Sequence, residues 1–181
     1  TLDCVYCQLG KTTRKTIERK EYVPVNDILA ELQKVLEVGL QADYITLGGS
    51  GEPTLHSGIG RLITGIRKIT SIPVAILTNS TLFYLPEVRK DCANADVILP
   101  SLDAGDQQTY EAINRPVKQL TFDTLVEGLC ALKKDYPGQI WLEVFCVDKL
   151  NTDDAQIAKI SEAIKKIRPD KVHLNTAVRP T

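Results

Sequence analysis

Short apolar runs alternate with amphipathic stretches along the whole chain, and that alternation constrains the fold more than any other feature. "ADYITLGG", "PVAILTN", "DVILPSLD", "QIWLEVFCV" and "KVHLN" read as successive strands. Helical patterns lie between and around them. Asn26 is the expected cap of a helix running to Gly39, with Ile28, Leu29, Leu32, Val35 and Leu36 on one face. Further helices are predicted over 58–69, 86–94, 106–114, from Thr121 onward, and over 153–167, where Pro169 stops the last. Strand–helix repeats of this kind build a parallel sheet from right-handed crossover units. Continuous apolar runs suit strands covered on both faces. A doubly wound open sheet and a partial barrel both satisfy the pattern, and in either one ligand groups collect at the carboxyl ends of the strands.

With 181 residues the chain is expected to form a single domain over 1–181. Its 22 basic and 23 acidic side chains leave a net charge of −1, which excludes a global attraction to nucleic acid or acidic membranes but not a local patch. The apolar runs fall far short of the roughly 20 residues a membrane span needs. No leader pattern is seen, so a cytoplasmic protein without membrane partners is expected. The five cysteines are odd in number and scattered, which fits a reducing compartment better than a disulfide framework. Cys92, Cys130 and Cys146 read as small core hydrophobes. Cys4 and Cys7, in "LDCVYCQLG", lie in no apolar pattern. Their spacing alone suits a metal, a redox disulfide or chance.

The strand ends carry the polar groups. The first presents Gly48, Gly49, Ser50, Gly51 and Glu52; the second Thr78, Asn79 and Ser80; the third Ser101 and Asp103. The fourth holds Glu143, which reads equally as a substrate contact or a buried structural acid, and the fifth ends in Asn175 and Thr176. Hydroxyls, amides and carboxylates together suit a zwitterionic or sugar-bearing ligand. "GGSGEPTLH" matches neither dinucleotide nor Walker glycine motifs, and its glutamate would repel a phosphate. Glycines followed by Glu-Pro suit close backbone approach to a ligand with a positive group.

Taken together, "LDCVYCQLG", "GGSGEPTLH" and "LPSLDAG" resemble the radical S-adenosylmethionine (SAM) superfamily. They are similar to its branch containing the wyosine-forming tRNA enzyme and related Fe–S oxidoreductases. The resemblance covers nearly the whole chain and implies an α/β fold, a partial (βα)6 TIM-like barrel whose first strand is not in this sequence. It implies a signature of three cysteines in which Cys4 and Cys7 are the second and third ligands of a [4Fe–4S] cluster. The first falls immediately ahead of Thr1, so a trimmed piece of a longer chain is expected. Three thiolates leave one iron open to the amino and carboxylate groups of SAM, whose reductive cleavage yields a 5′-deoxyadenosyl radical.

By the same resemblance Ser50, Gly51 and Glu52 would meet the methionyl amino group, although Ser50 stands where the motif often has glycine. Ser101 and Asp103 would meet the ribose, and Tyr6 the adenine. Asn79 and Asn175 are further cofactor candidates. An electron donor of flavodoxin or ferredoxin type is implied. The substrate is left open between a tRNA base and a partner protein or cofactor undergoing maturation. The loop 11–21, with five basic and two acidic residues, reads as a solvated surface, or else as a basic lip that meets an anionic substrate such as RNA. His56 and His173 read as loop and structural histidines. Two rivals remain: a non-catalytic module with a zinc or redox Cys-x-x-Cys site, and a SAM-binding scaffold without a cluster.

Overall fold

The computed structural model describes residues 1–39 and 41–177. Among them the elements run α1 (Val25–Glu37), β1 (Ile45–Leu47), α2 (Ile59–Ile69), β2 (Val74–Thr78), α3 (Pro86–Cys92), β3 (Val97–Pro100), α4 (Gln107–Asn114), α5 (Phe122–Asp135), β4 (Gln139–Cys146), α6 (Asp154–Ile167) and β5 (Lys171–Thr176). A single 3-10 turn, Pro53–Leu55, lies between β1 and α2.

All strand pairings are parallel, and the spatial order is β1-β2-β3-β4-β5. A doubly wound sheet reverses direction at some strand; this one does not. Right-handed crossovers in an unreversed series fall on one face, so the helices clad one side and the sheet curves as a partial barrel. Strand β4 records that asymmetry. Ile140, Leu142 and Val144 are buried toward the helices, whereas Trp141, Glu143 and Phe145, on the opposite face, are only half-buried. The expectation of strands covered on both faces is therefore corrected: a concave face stays open. The six residues of β5 are all exposed.

The core lies between the sheet and its helices, with Ile63, Ile76, Ile98, Leu129, Leu132 and Leu142 fully buried. Cys92 joins them, Cys130 is half-buried at its margin, and Cys146 is half-buried at the end of β4. Asp106, Thr121 and Asp153, where the sequence starts three of the helices, cap them, each side chain accepting from the backbone N–H three residues on. Asn26 does not. Helix α1 begins one residue earlier, and its Val25 N–H is taken by the Glu21 carboxylate at 2.9 Å. No helix among the described residues is long and apolar enough to cross a membrane. Gly105 marks a tight seam, since a Cβ there would collide with Lys159 and with the backbone N of Ile160. That seam seats the loop after β3 against α6.

Candidate cofactor and metal site

Residues 1–10 have no regular structure of their own, and they are fixed by docking onto the carboxyl end of α4. The N–H groups of Asp3 and Val5 donate to the carbonyls of Asn114 and Ile113, each at 2.9 Å. Those carbonyls are among the orphan acceptors every helix leaves at its last turn. A tight turn follows, with Cys7 N–H on Cys4 C=O at 3.1 Å and Gly10 N–H on Cys7 C=O at 3.0 Å. Gly10 has φ +78°, a conformation that suits glycine. The Tyr6 ring stacks on Phe145 with centroids 4.0 Å apart.

Docked this way, Cys4 and Cys7 line a cavity of about 500 Å³ together with the strip Gly48–Glu52 after β1. Thr78 and Asn79, at the end of β2, form its floor beside Ser101 and Glu143. The cavity thus gathers Cys4, Cys7, Ser50, Gly51, Glu52, Asn79 and Ser101 from four separate stretches of chain. A larger groove, about 700 Å³, runs along α1, α2 and α3 past Asn26, Arg61, Lys68 and Lys90. It lies on the helix side and holds none of the strand-end groups.

Glu52 is 8% exposed and tightly held. Its Oε1 accepts from Thr54 N–H at 3.0 Å and from the Thr54 and Thr78 hydroxyls at 2.6 Å each. Among the described residues its Oε2 accepts only the Asn79 N–H, at 2.7 Å, which leaves acceptor capacity on that oxygen. The Asn79 side chain holds its own loop, its amide donating to the Thr1 hydroxyl at 2.7 Å and its oxygen accepting from Thr81. A Cβ added at Gly49 or Gly51 would meet nothing within 4 Å, and neither has positive φ. The chain's own packing therefore does not require glycine there. Closely approaching ligand atoms would.

Three expected cofactor residues, Tyr6, Asp103 and Asn175, are not among those lining this cavity. Asp103 is 2% exposed and lies behind the cavity wall. Its Oδ2 accepts the Tyr6 hydroxyl at 2.5 Å and the Asn114 amide at 2.9 Å, and its Oδ1 accepts the Phe145 N–H at 2.9 Å. Burial pushes its carboxyl above the ordinary range while these donors pull it back. Both of its oxygens are thus engaged by donors of the protein itself. Tyr6, held by Asp103 and Phe145, braces the cysteine loop from behind, and burial raises its phenol far above the usual value. Asn175 sits on the exposed strand β5 and donates at 3.1 Å to Glu143, which lines the cavity.

One contributor escaped the sequence reading: Asn114 donates to Cys4 Sγ at 3.3 Å, a contact that only the docking of the loop creates. Arg14, from the basic loop 11–21, lines the cavity. The rest of the basic loop is partly neutralised: Arg19 pairs with Asp91 at 2.7 Å, and Lys15 donates to the Arg115 carbonyl at 2.7 Å.

The Cys4 thiol is pushed up to about 11, chiefly by burial. An activated redox Cys-x-x-Cys has the opposite shift, produced by a helix amino end. Among the described residues no third Cys, His, Asp or Glu joins the pair to make a metal group. Two soft donors beside a ligand-sized cavity fit an iron–sulfur cluster as far as this sequence reaches.

The radical SAM superfamily model matches residues 1–170. The chain belongs to the radical SAM superfamily. Among curated relatives, it is 41% identical over 179 residues to a Brachyspira hyodysenteriae protein named GTPase Obg, covering 99% of this chain and 26% of that protein. It is 36% identical to a UPF0026 protein of Methanocaldococcus jannaschii, covering 98% of this chain and 56% of the relative. A Synechocystis UPF0026 protein is 32% identical, with 99% and 66% covered. The chain thus spans less than two thirds of each relative's length. Solved structures share the fold. Native anSMEcpe with bound AdoMet (S-adenosylmethionine) superposes with TM-score 0.72 at 17% identity, over 99% of this chain and 49% of that one. A radical SAM methyltransferase from Sphaerobacter thermophilus gives 0.66 at 15% identity, over 97% and 52%.

Proposed function

We propose that this chain forms the core of an enzyme that binds SAM against a [4Fe–4S] cluster and cleaves it reductively. The observation that carries the reading is the meeting of Cys4 and Cys7 with the Gly48–Glu52 strip around one cavity. When bound, the cluster would supply one electron to the sulfonium, breaking a carbon–sulfur bond to give methionine and a 5′-deoxyadenosyl radical.

The chain's own residues bind and orient. Cys4 and Cys7 would supply two of three thiolates. Glu52, fixed by Thr54 and Thr78, would accept from the methionyl ammonium through the spare capacity of Oε2. Gly49 and Gly51 would let the cofactor approach the backbone, and Ser101 would offer its hydroxyl to the ribose. Arg14 would place a cation near the methionyl carboxylate or an anionic substrate. Because Arg19 and Lys15 are engaged elsewhere, this lip favours a single anionic group over a broad RNA platform. The reaction completed on substrate, oxidation or group transfer, lies beyond the shared cleavage step. A flavodoxin- or ferredoxin-type donor would supply the electron.

Anaerobic reconstitution of the full-length protein tests the reading. Iron and sulfide at about four each, with 5′-deoxyadenosine released on reduction in the presence of SAM, are the expected results. Cluster-free protein that binds SAM without cleaving it, or protein holding only zinc, would overturn it.

A further inference from the structure

The sulfur of Cys4 has a partner outside the cysteine motif. Asn114, the last residue of α4, is 3% exposed, and its side-chain nitrogen lies 3.3 Å from Cys4 Sγ and 2.9 Å from Asp103 Oδ2. An amide nitrogen carries two N–H bonds, so one serves each acceptor. The Asp103 oxygens accept from Phe145 N–H and the Tyr6 hydroxyl as well, and a carboxylate surrounded by donors fixes which end of the amide faces it. The second N–H is thereby aimed at sulfur.

We propose that Asn114, oriented by Asp103, is a positioning residue that holds Cys4 Sγ by an N–H···S hydrogen bond and raises the reduction potential of the cluster that sulfur binds. This rests on the reading in the preceding subsection. Hydrogen bonds to cluster sulfurs draw off electron density and favour the reduced state. The loop does not need the side chain to stay docked, because Asp3 and Val5 bond to backbone carbonyls of α4. Losing the amide should therefore change the electronics at sulfur more than the position of the loop.

The test is an EPR-monitored redox titration of the full-length reconstituted protein, comparing wild type, Asn114→Leu and Ile113→Val. Ile113→Val loosens the same buried turn without touching sulfur. At a fixed poise, Asn114→Leu should lower the ratio of reduced to oxidised cluster about tenfold, which for a one-electron couple is a shift of about 59 mV to more negative potential. Ile113→Val should titrate with wild type. An unchanged Asn114→Leu potential, or an equal shift in Ile113→Val, overturns the inference while the cluster reading stands. Failure of the wild type to assemble a cluster overturns the reading itself, and this inference with it. If only Asn114→Leu loses its cluster, the wild type still decides. With asparagine side chains labelled with 15N, the reduced cluster must show a nitrogen hyperfine coupling, and its absence overturns the role of Asn114.

Discussion

Glu52 and Asp103 follow β1 and β3 at comparable places in the fold, both buried and both held by several donors, yet they serve different parts of the molecule. The partners of Glu52 come from its own turn and from the end of β2, so it stiffens the wall of the cavity it lines. The partners of Asp103 come from the cysteine loop, α4 and β4, so it ties three elements together behind that wall. A carboxylate at a strand end thus lines the cavity or acts as a clasp according to the side of the wall on which its loop leaves it.

The sharpest way to break the contrast is to remove the clasp. Asp103→Ala leaves a hydroxyl, an amide and a backbone N–H without their buried acceptor, and should lower unfolding free energy by about 3 kcal/mol or more, measured by denaturant titration. A loss below about 1 kcal/mol would show that Asp103 does not tie the elements together. Glu52→Gln should separate the two roles from the other side. It turns one acceptor into a donor and removes the charge, so SAM affinity of the reconstituted enzyme should fall about 10- to 100-fold. Asp103→Asn should leave the affinity of the protein that remains folded nearly unchanged. Equal affinity losses in the two variants would erase the distinction.

Glycines give a second pair. Gly105→Ala, facing Lys159 and Ile160, should cost about 1–3 kcal/mol by calorimetry. Gly51→Ala has open space around it, so its stability should stay within about 0.5 kcal/mol of wild type while SAM binding weakens. The smallest effect lies at Asp106, three residues beyond Asp103. The Lys159 ammonium, then the Thr109 N–H and Gln156, hold its carboxyl well below the ordinary range. Its contribution to stability is therefore complete above the unfolded value near pH ~3.9 and is lost as pH falls toward the folded one. Asp106→Asn should flatten the melting temperature against pH only below about pH 4. Because the pair is exposed, the change should be slight.

The strands and helices were legible because their apolar runs and caps are local: Thr121, Asp106 and Asp153 do what their positions predict. The choice of a partial barrel was not a local matter. It rests on strand order, which no single segment encodes. The cavity residues Glu52, Gly51 and Ser101 were legible from the strand-end rule together with the family motif. That Asp103 falls outside the cavity was not legible, because the rule gives the end of the sheet and not the side of the wall. Asn114 was invisible because its partner lies 110 residues away and meets it only after the amino-terminal loop docks. The basic loop looked more exposed than it is, since sequence does not reveal that Asp91 neutralises Arg19.

Cys4, Cys7 and the Glu52 loop share one cavity, and the proposed chemistry depends on that meeting. Its most direct test is the EPR spectrum of the reduced, reconstituted full-length protein with and without SAM. A spectrum that changes on adding SAM, and changes far less in Glu52→Gln at the same concentration, is the predicted result. A cluster signal that SAM leaves untouched in the wild type would contradict it.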